Sequence, residues 1–226
     1  MKIRLHLKIF VFIAIFICTR QIELYGILML FAFFHEIGHM ITGVIMGFKP
    51  RTLEIMPFGL SIGFEGKVDN YNKKIGKSSI LTLKKMIIAL NGPLTNLLFI
   101  IIFSIFQIDV LNIEHELIIY SNLLIGVFNL IPIYPLDGGR ILKYILHINF
   151  GKEKSSQYIN TISYIIVILI TAISSVAILY IRNIAIVIIL GYLWYLVIRE
   201  NKKYNKKRKI YEKLNKIKED SSIYIK

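Results

Sequence analysis

The chain has 226 residues, 55% of them hydrophobic and only 19% charged, with a mean hydropathy of +0.62. These values exclude a disordered chain and argue against an ordinary soluble domain. The formal net charge of +14 would point to nucleic acid in a soluble protein. Here the basic residues flank apolar stretches, so they read as topology determinants facing lipid phosphates, and no nucleic-acid partner is expected. The single cysteine, Cys18, excludes an internal disulfide framework and a cysteine-based metal cage.

In chain order, Met1 to Lys8 is short and basic, and Ile9 to Thr19 is apolar. No small-residue cleavage site follows it, so it reads as a retained, short first span whose flanking Lys8 and Arg20 snorkel. Further spans are predicted over Glu23–Phe48, Met86–Phe106, Glu116–Tyr134, Tyr158–Tyr180 and Asn183–Ile198. The segment Lys49–Lys85 holds eight Lys or Arg against Glu54, Glu65 and Asp69. Gln107–Glu116 carries only the acids Asp109, Glu114 and Glu116 beside His115. Arg140, Lys143, Lys152 and Lys154 follow the fourth span, and the tail from Arg199 holds eleven Lys or Arg and four acids. An even number of spans with both termini cytoplasmic puts every basic segment inside. The expected fold is therefore an all-α polytopic membrane protein of about six transmembrane helices.

Between the second and third spans, Leu53, Ile55, Met56, Phe58, Leu60, Ile62 and Phe64 alternate with small or polar residues, and Gly59, Gly63 and Gly66 punctuate them. That pattern predicts a short membrane-edge β-hairpin, which has to pack on the helices because uncovered backbone cannot rest in lipid. Asp69–Ser79 reads as a polar loop. Residues 1–200 are expected to form one six-helix domain, with its catalytic core over about 23–140. Residues 201–226 are read as a basic cytoplasmic tail, either a helix on the lipid surface or a solvated end. His6, His115 and His147 lie near span ends and lack partner spacing.

The second span contains His35-Glu36-Ile37-Gly38-His39, an H-E-x-x-H pattern. On a helix the two histidines share a face, about 6 Å apart along the axis. Both imidazoles can then bind one zinc ion, and Glu36 is placed to act as general base. Ionisable groups inside an apolar span each cost several kcal/mol and need a partner. A pair that merely ties helices together does not require i,i+4 spacing with a carboxylate between.

A catalytic zinc wants a third protein ligand, and Asp137 is the carboxylate with a suitable setting. It closes Asn129-Leu-Ile-Pro-Ile-Tyr-Pro-Leu-Asp137-Gly-Gly-Arg140, where Pro132 and Pro135 break the helix and Gly138-Gly139 allow a sharp turn. The loop charges alone put Asp137 and His39 towards the same side of the membrane. In the third span, Asn91-Gly92-Pro93-Leu94-Thr95-Asn96 places amides in an apolar stretch. Asn91, Asn96 and Asn129 are candidates to hold an extended substrate backbone, to support the zinc site or to bond between helices.

These motifs together resemble the intramembrane site-2 metalloprotease family, over roughly Phe31 to Arg140, and within it the sporulation branch. The resemblance implies His35, His39 and Asp137 as ligands of one zinc per chain and Glu36 as the catalytic glutamate. It implies a membrane-associated protein substrate, such as the sigma-factor precursor pro-sigma-K. It also implies inhibitory membrane partner proteins and a place in the forespore outer membrane. The C-terminal CBS domain of better-known sporulation members is not expected, since only 28 residues follow Ile198, and neither is the PDZ domain of other branches. Two competing readings are a membrane metal transporter or metal-binding scaffold, and an inactive member that binds client helices. Transit of a metal does not need Glu36 beside the ligands.

Overall fold

A computed structural model describes residues 2–5, 8–18, 20, 22–56, 59–65, 75–110, 113–181 and 184–223. They form β1 (Lys2–Leu5), α1 (Lys8–Cys18), α2 (Ile22–Ile45), β2 (Pro50–Met56), β3 (Gly59–Phe64), α3 (Ile75–Phe106), α4 (His115–Leu130), α5 (Asp137–Ile181) and α6 (Ile184–Ile223). The fold is mostly helical, as the hydropathy predicts. Among the described residues, three helices are long and apolar enough to cross a membrane, Ile22–Ile45, Ile80–Phe106 and Asp137–Ile178, and His115–Leu130 is a shorter apolar helix. At 11 residues, α1 falls well short of the ~20 that a straight span needs. The ends of the expected first and sixth spans at Thr19 and Asn183, His6, Gly66 and most of the expected polar loop, residues 69–74, lie outside the described residues.

The chain divides into two compact units, Met1–Ile131 and Pro132–Lys226. In the first, Ile27 and Phe31 of α2 pack with Ile118 and Ile125 of α4, and Phe99 and Phe103 of α3 close against them. The polarity of these helices is inverted relative to a water-soluble bundle. On α3 and α4, Leu94, Leu97, Leu98, Ile101, Leu123, Leu124 and Val127 are exposed while Asn96, Ser121 and Asn122 are buried. Outward-facing apolar side chains with inward amides suit a lipid solvent, where polar groups must find partners inside.

Helix α2 ends where Gly47 adopts φ +87°, a conformation that costs other residues a Cβ clash. Phe48 N–H then bonds Gly43 O and Gly47 N–H bonds Val44 O, both at 2.9 Å, closing the helix end. The chain turns from there into the expected hairpin. β2 pairs antiparallel with β3, Leu53 opposite Ile62 and Ile55 opposite Leu60. The hairpin does pack on a helix: Gly43 of α2 has no side chain, and Phe64 of β3 fills that space. One addition was not expected. Lys2–Leu5 forms a strand parallel to β2, so the sheet has three strands in the order β1-β2-β3, and Arg4 pairs with Glu54 at 3.4 Å.

Three element boundaries differ from expectation. α3 begins at Ile75, so residues 75–79 are helical rather than part of the polar loop. α4 stops at Leu130, ahead of Pro132, whose ring excludes the preceding residue from helical geometry. Asp137 therefore opens α5 instead of closing the fourth span. In the second unit, α5 is two helical segments joined at Gly151, where φ 81° and ψ 173° interrupt the helix. Buried Ile159, Ser163 and Val167 repeat every four residues along α5. α5 and α6 are tied by Asn160 Nδ2–H to Asn201 Oδ1 at 3.1 Å and by Trp194 Nε1–H to Thr171 Oγ1 at 3.0 Å. α6 runs without a break through residue 200 into the basic stretch.

Candidate metal centre

His35 and His39 both lie on the buried face of α2, each 3% exposed. The helix can bring them close to α3 because residue 38 is glycine. A Cβ there would collide with the Thr95 hydroxyl and crowd the Asn91 carbonyl. The Thr95 hydroxyl itself donates to Asn91 O at 2.8 Å and so stays folded along its own helix. Gly92 performs the matching service on α3. A Cβ at that position would run into Nε2 of both imidazoles. Glycine at 92 thus leaves open the space in front of the two ring nitrogens. This role of Gly92 depends on α2 and α3 lying side by side, which no local pattern around Pro93 reports.

The hydrogen bonds place a proton on Nδ1 of each ring. His39 Nδ1 lies 2.7 Å from the Ile88 carbonyl, which can only accept, so Nδ1–H donates. His35 Nδ1 lies 2.5 Å from Asn96 Oδ1 and donates to it. The orientation of the Asn96 amide is fixed in turn. Its Nδ2–H donates to Asn122 Oδ1 at 2.8 Å, and Asn122 Nδ2–H donates to the Ile118 carbonyl at 2.9 Å. With both Nδ1 positions donating elsewhere, the two Nε2 atoms face one another 3.2 Å apart. At that separation the two nitrogens can share a proton in a hydrogen bond or, both unprotonated, stand before a common cation. The donor set therefore fits a divalent metal of the kind imidazole favours, zinc foremost.

Glu36 lies one residue round the helix and is half-buried. Its Oε2 accepts from the backbone N–H of Ile62 in β3 at 3.2 Å. As β3 is one of the two edge strands of the sheet, the carboxylate meets backbone on the side away from β2. Asn91 and Asn129 are half-buried and turn their Nδ2–H groups onto their own helices, to Ile87 O and Ile125 O, each at 3.0 Å. Asn96 differs, because both ends of its amide are already engaged.

Asp137 belongs to the second unit, where it is the first residue of α5 and 5% exposed. Three local features hold it. Leu136 N–H bonds Ile133 O at 2.8 Å, and Tyr134 N–H donates to Ser163 Oγ at 3.0 Å, pinning the 131–136 turn to α5. Gly139 leaves room for the backbone of Ile133 and Tyr134 to pass. The Arg140 guanidinium lies 3.6 Å from Asp137 Oδ1, and the helix N-terminus favours a negative charge there.

Comparisons with known proteins agree with this geometry. Residues 107–173 match Peptidase family M50. A zinc metalloprotease of Methanocaldococcus jannaschii is 34% identical over 128 residues, covering 54% of this chain and 34% of that protein. Stage IV sporulation protein FB of Bacillus subtilis is 26% identical over 146 residues, covering 63% of this chain and 46% of that protein. The chain thus spans less than half the length of either relative. Among solved structures, the site-2 protease from Methanocaldococcus jannaschii shares the fold, with a TM-score of 0.64 over 88% of this chain and 89% of that one at 22% identity. Residues 107–173 are thus similar to Peptidase family M50, and the fold of the chain is similar to that of a site-2 protease.

Proposed function

We propose that the chain is a zinc-dependent intramembrane endopeptidase. One zinc would be held by His35 and His39 with Asp137 as the third protein ligand, and Glu36 would serve as general base. The observation that carries this reading is the pair of buried Nε2 atoms 3.2 Å apart with both Nδ1 atoms hydrogen-bonded elsewhere. Asp137 is assigned by its Asp-Gly-Gly setting, its burial and the need of a catalytic zinc for three protein ligands and an open position.

When bound, zinc supplies Lewis acidity and a water whose pKa lies near neutrality. Glu36 Oε2 takes a proton from the attacking water as its oxygen adds to the scissile carbonyl carbon. The same carboxyl then delivers that proton to the departing amine nitrogen as the C–N bond breaks. A substrate helix hides its amides, so it has to unwind locally. The edge strand β3 offers backbone groups to which an extended segment can add, and the Asn91 and Asn129 amides are assigned to the same backbone.

The substrate is read as a membrane-associated precursor of the pro-sigma-K type, in keeping with the likeness to a sporulation protein. With both termini cytoplasmic, the chain would sit in the forespore outer membrane under the control of inhibitory membrane proteins. Co-expression with pro-sigma-K, read by gel mobility, tests this. The intact chain should shorten the precursor, and Glu36→Gln should lose more than ~10²-fold of that rate while keeping its zinc, since the amide cannot accept the proton. Comparable cleavage by Glu36→Gln would move the base elsewhere. An uncleaved precursor with the intact chain would remove that substrate.

A further inference from the structure

The amide chain that ends on His35 runs through three helices, and it engages both ends of the Asn96 amide, one of the candidates for substrate contact. Asn96 of α3 is 1% exposed and Asn122 of α4 is 0% exposed. Buried amides in an apolar bundle usually bond between helices to satisfy themselves. This chain has a direction, however. It starts at the Ile118 carbonyl, which can only accept, and each amide is thereby forced to present its oxygen to the next donor. The final oxygen, Asn96 Oδ1, receives the His35 Nδ1 proton.

We infer that Asn96 and Asn122 are positioning residues for the metal, acting through His35. Anchored at Ile118 O, the two amides hold His35 in the tautomer that keeps Nε2 unprotonated, and they fix the plane of its ring. His39 needs no such relay, because the Ile88 carbonyl does the same work directly. Reversal of the Asn96 amide would turn an N–H towards His35 Nδ1. That would favour the tautomer with the proton on Nε2, which cannot ligate. Asn122 prevents the reversal without touching the histidine.

The inference rests on the proposal that His35 and His39 bind zinc, so the test reports on both. Zinc affinity of the purified full-length chain is measured by competition with a chelator, and the visible spectrum is recorded with cobalt in place of zinc. Asn122→Leu keeps the volume but breaks the relay and should weaken zinc binding by about 10–100-fold, with a changed cobalt spectrum. Asn122→Asp should restore near-intact affinity. A buried, protonated carboxyl can donate to Ile118 O and accept from Asn96 Nδ2–H, so the direction of the chain survives. Asn160→Leu removes the interhelical amide bond to Asn201 in the other unit and should leave zinc affinity unchanged. Equal zinc affinity and an unchanged cobalt spectrum in Asn122→Leu would overturn the inference while leaving the metal site standing. Equal weakening by Asn122→Leu and Asn122→Asp would also overturn it, because packing rather than direction would then be at stake. An intact chain that binds no zinc would instead defeat the metal-site reading itself.

Discussion

The imidazole pair owes its geometry to residues without side chains as much as to the histidines. Gly38 lets α2 approach α3, and Gly92 leaves the space in front of both Nε2 atoms. Gly92→Ala should therefore cost metal affinity out of proportion to one added methyl group. Alanine is the better helix former, so a propensity effect alone would stabilise α3 by up to ~1 kcal/mol. The Cβ must displace the imidazoles instead, and zinc affinity should fall by about tenfold or more while the protein stays folded. Unchanged zinc affinity in Gly92→Ala would show that the rings have room to spare. The histidines and Glu36 were legible in the sequence because i,i+4 spacing on a helix is a local rule. Asn122 and the role of Gly92 were not, since each depends on which residue of another helix lies opposite.

At the scale of elements, each apolar run falls on a helix among the described residues, while the helix ends and the segment of α5 before Gly151 were set by chemistry that hydropathy does not report. Pro132 stops α4, and Asp137 with its neighbouring glycines starts α5, so the motif read as the end of one span straddles two elements. The hairpin was visible from its alternation and its glycines. The third strand was not, because Lys2-Ile3-Arg4-Leu5 is too short to signal and pairs with residues about fifty positions away. The turn that aims the hairpin back onto α2 depends on Gly47 at φ +87°. Gly47→Ala should cost about 1 kcal/mol through Cβ strain, lowering Tm by about 2–4 °C, with zinc content unaltered because Gly47 lies two turns beyond His39. A thermal unfolding scan that shows no loss would mean the turn tolerates a side chain there.

At the scale of the whole molecule, apolar surface outside and amides inside follow from the solvent being lipid. The composition announced that solvent. The same reasoning explains why ionisable side chains in α2 are informative: in an apolar span they persist only where something repays their desolvation. The Nδ1 contacts of His35 and His39 and the close approach of their Nε2 atoms fit the proposal that a bound cation is that something. The most direct check is the zinc bound per chain in the purified protein, compared across the intact sequence, His35→Ala/His39→Ala and Asp137→Asn. The account predicts about one zinc per intact chain, none retained by the double histidine variant, and much weaker binding when a neutral amide replaces the Asp137 carboxylate. Stoichiometric zinc in the double histidine variant would contradict it, and undiminished binding in Asp137→Asn would return that residue to the role of a helix start.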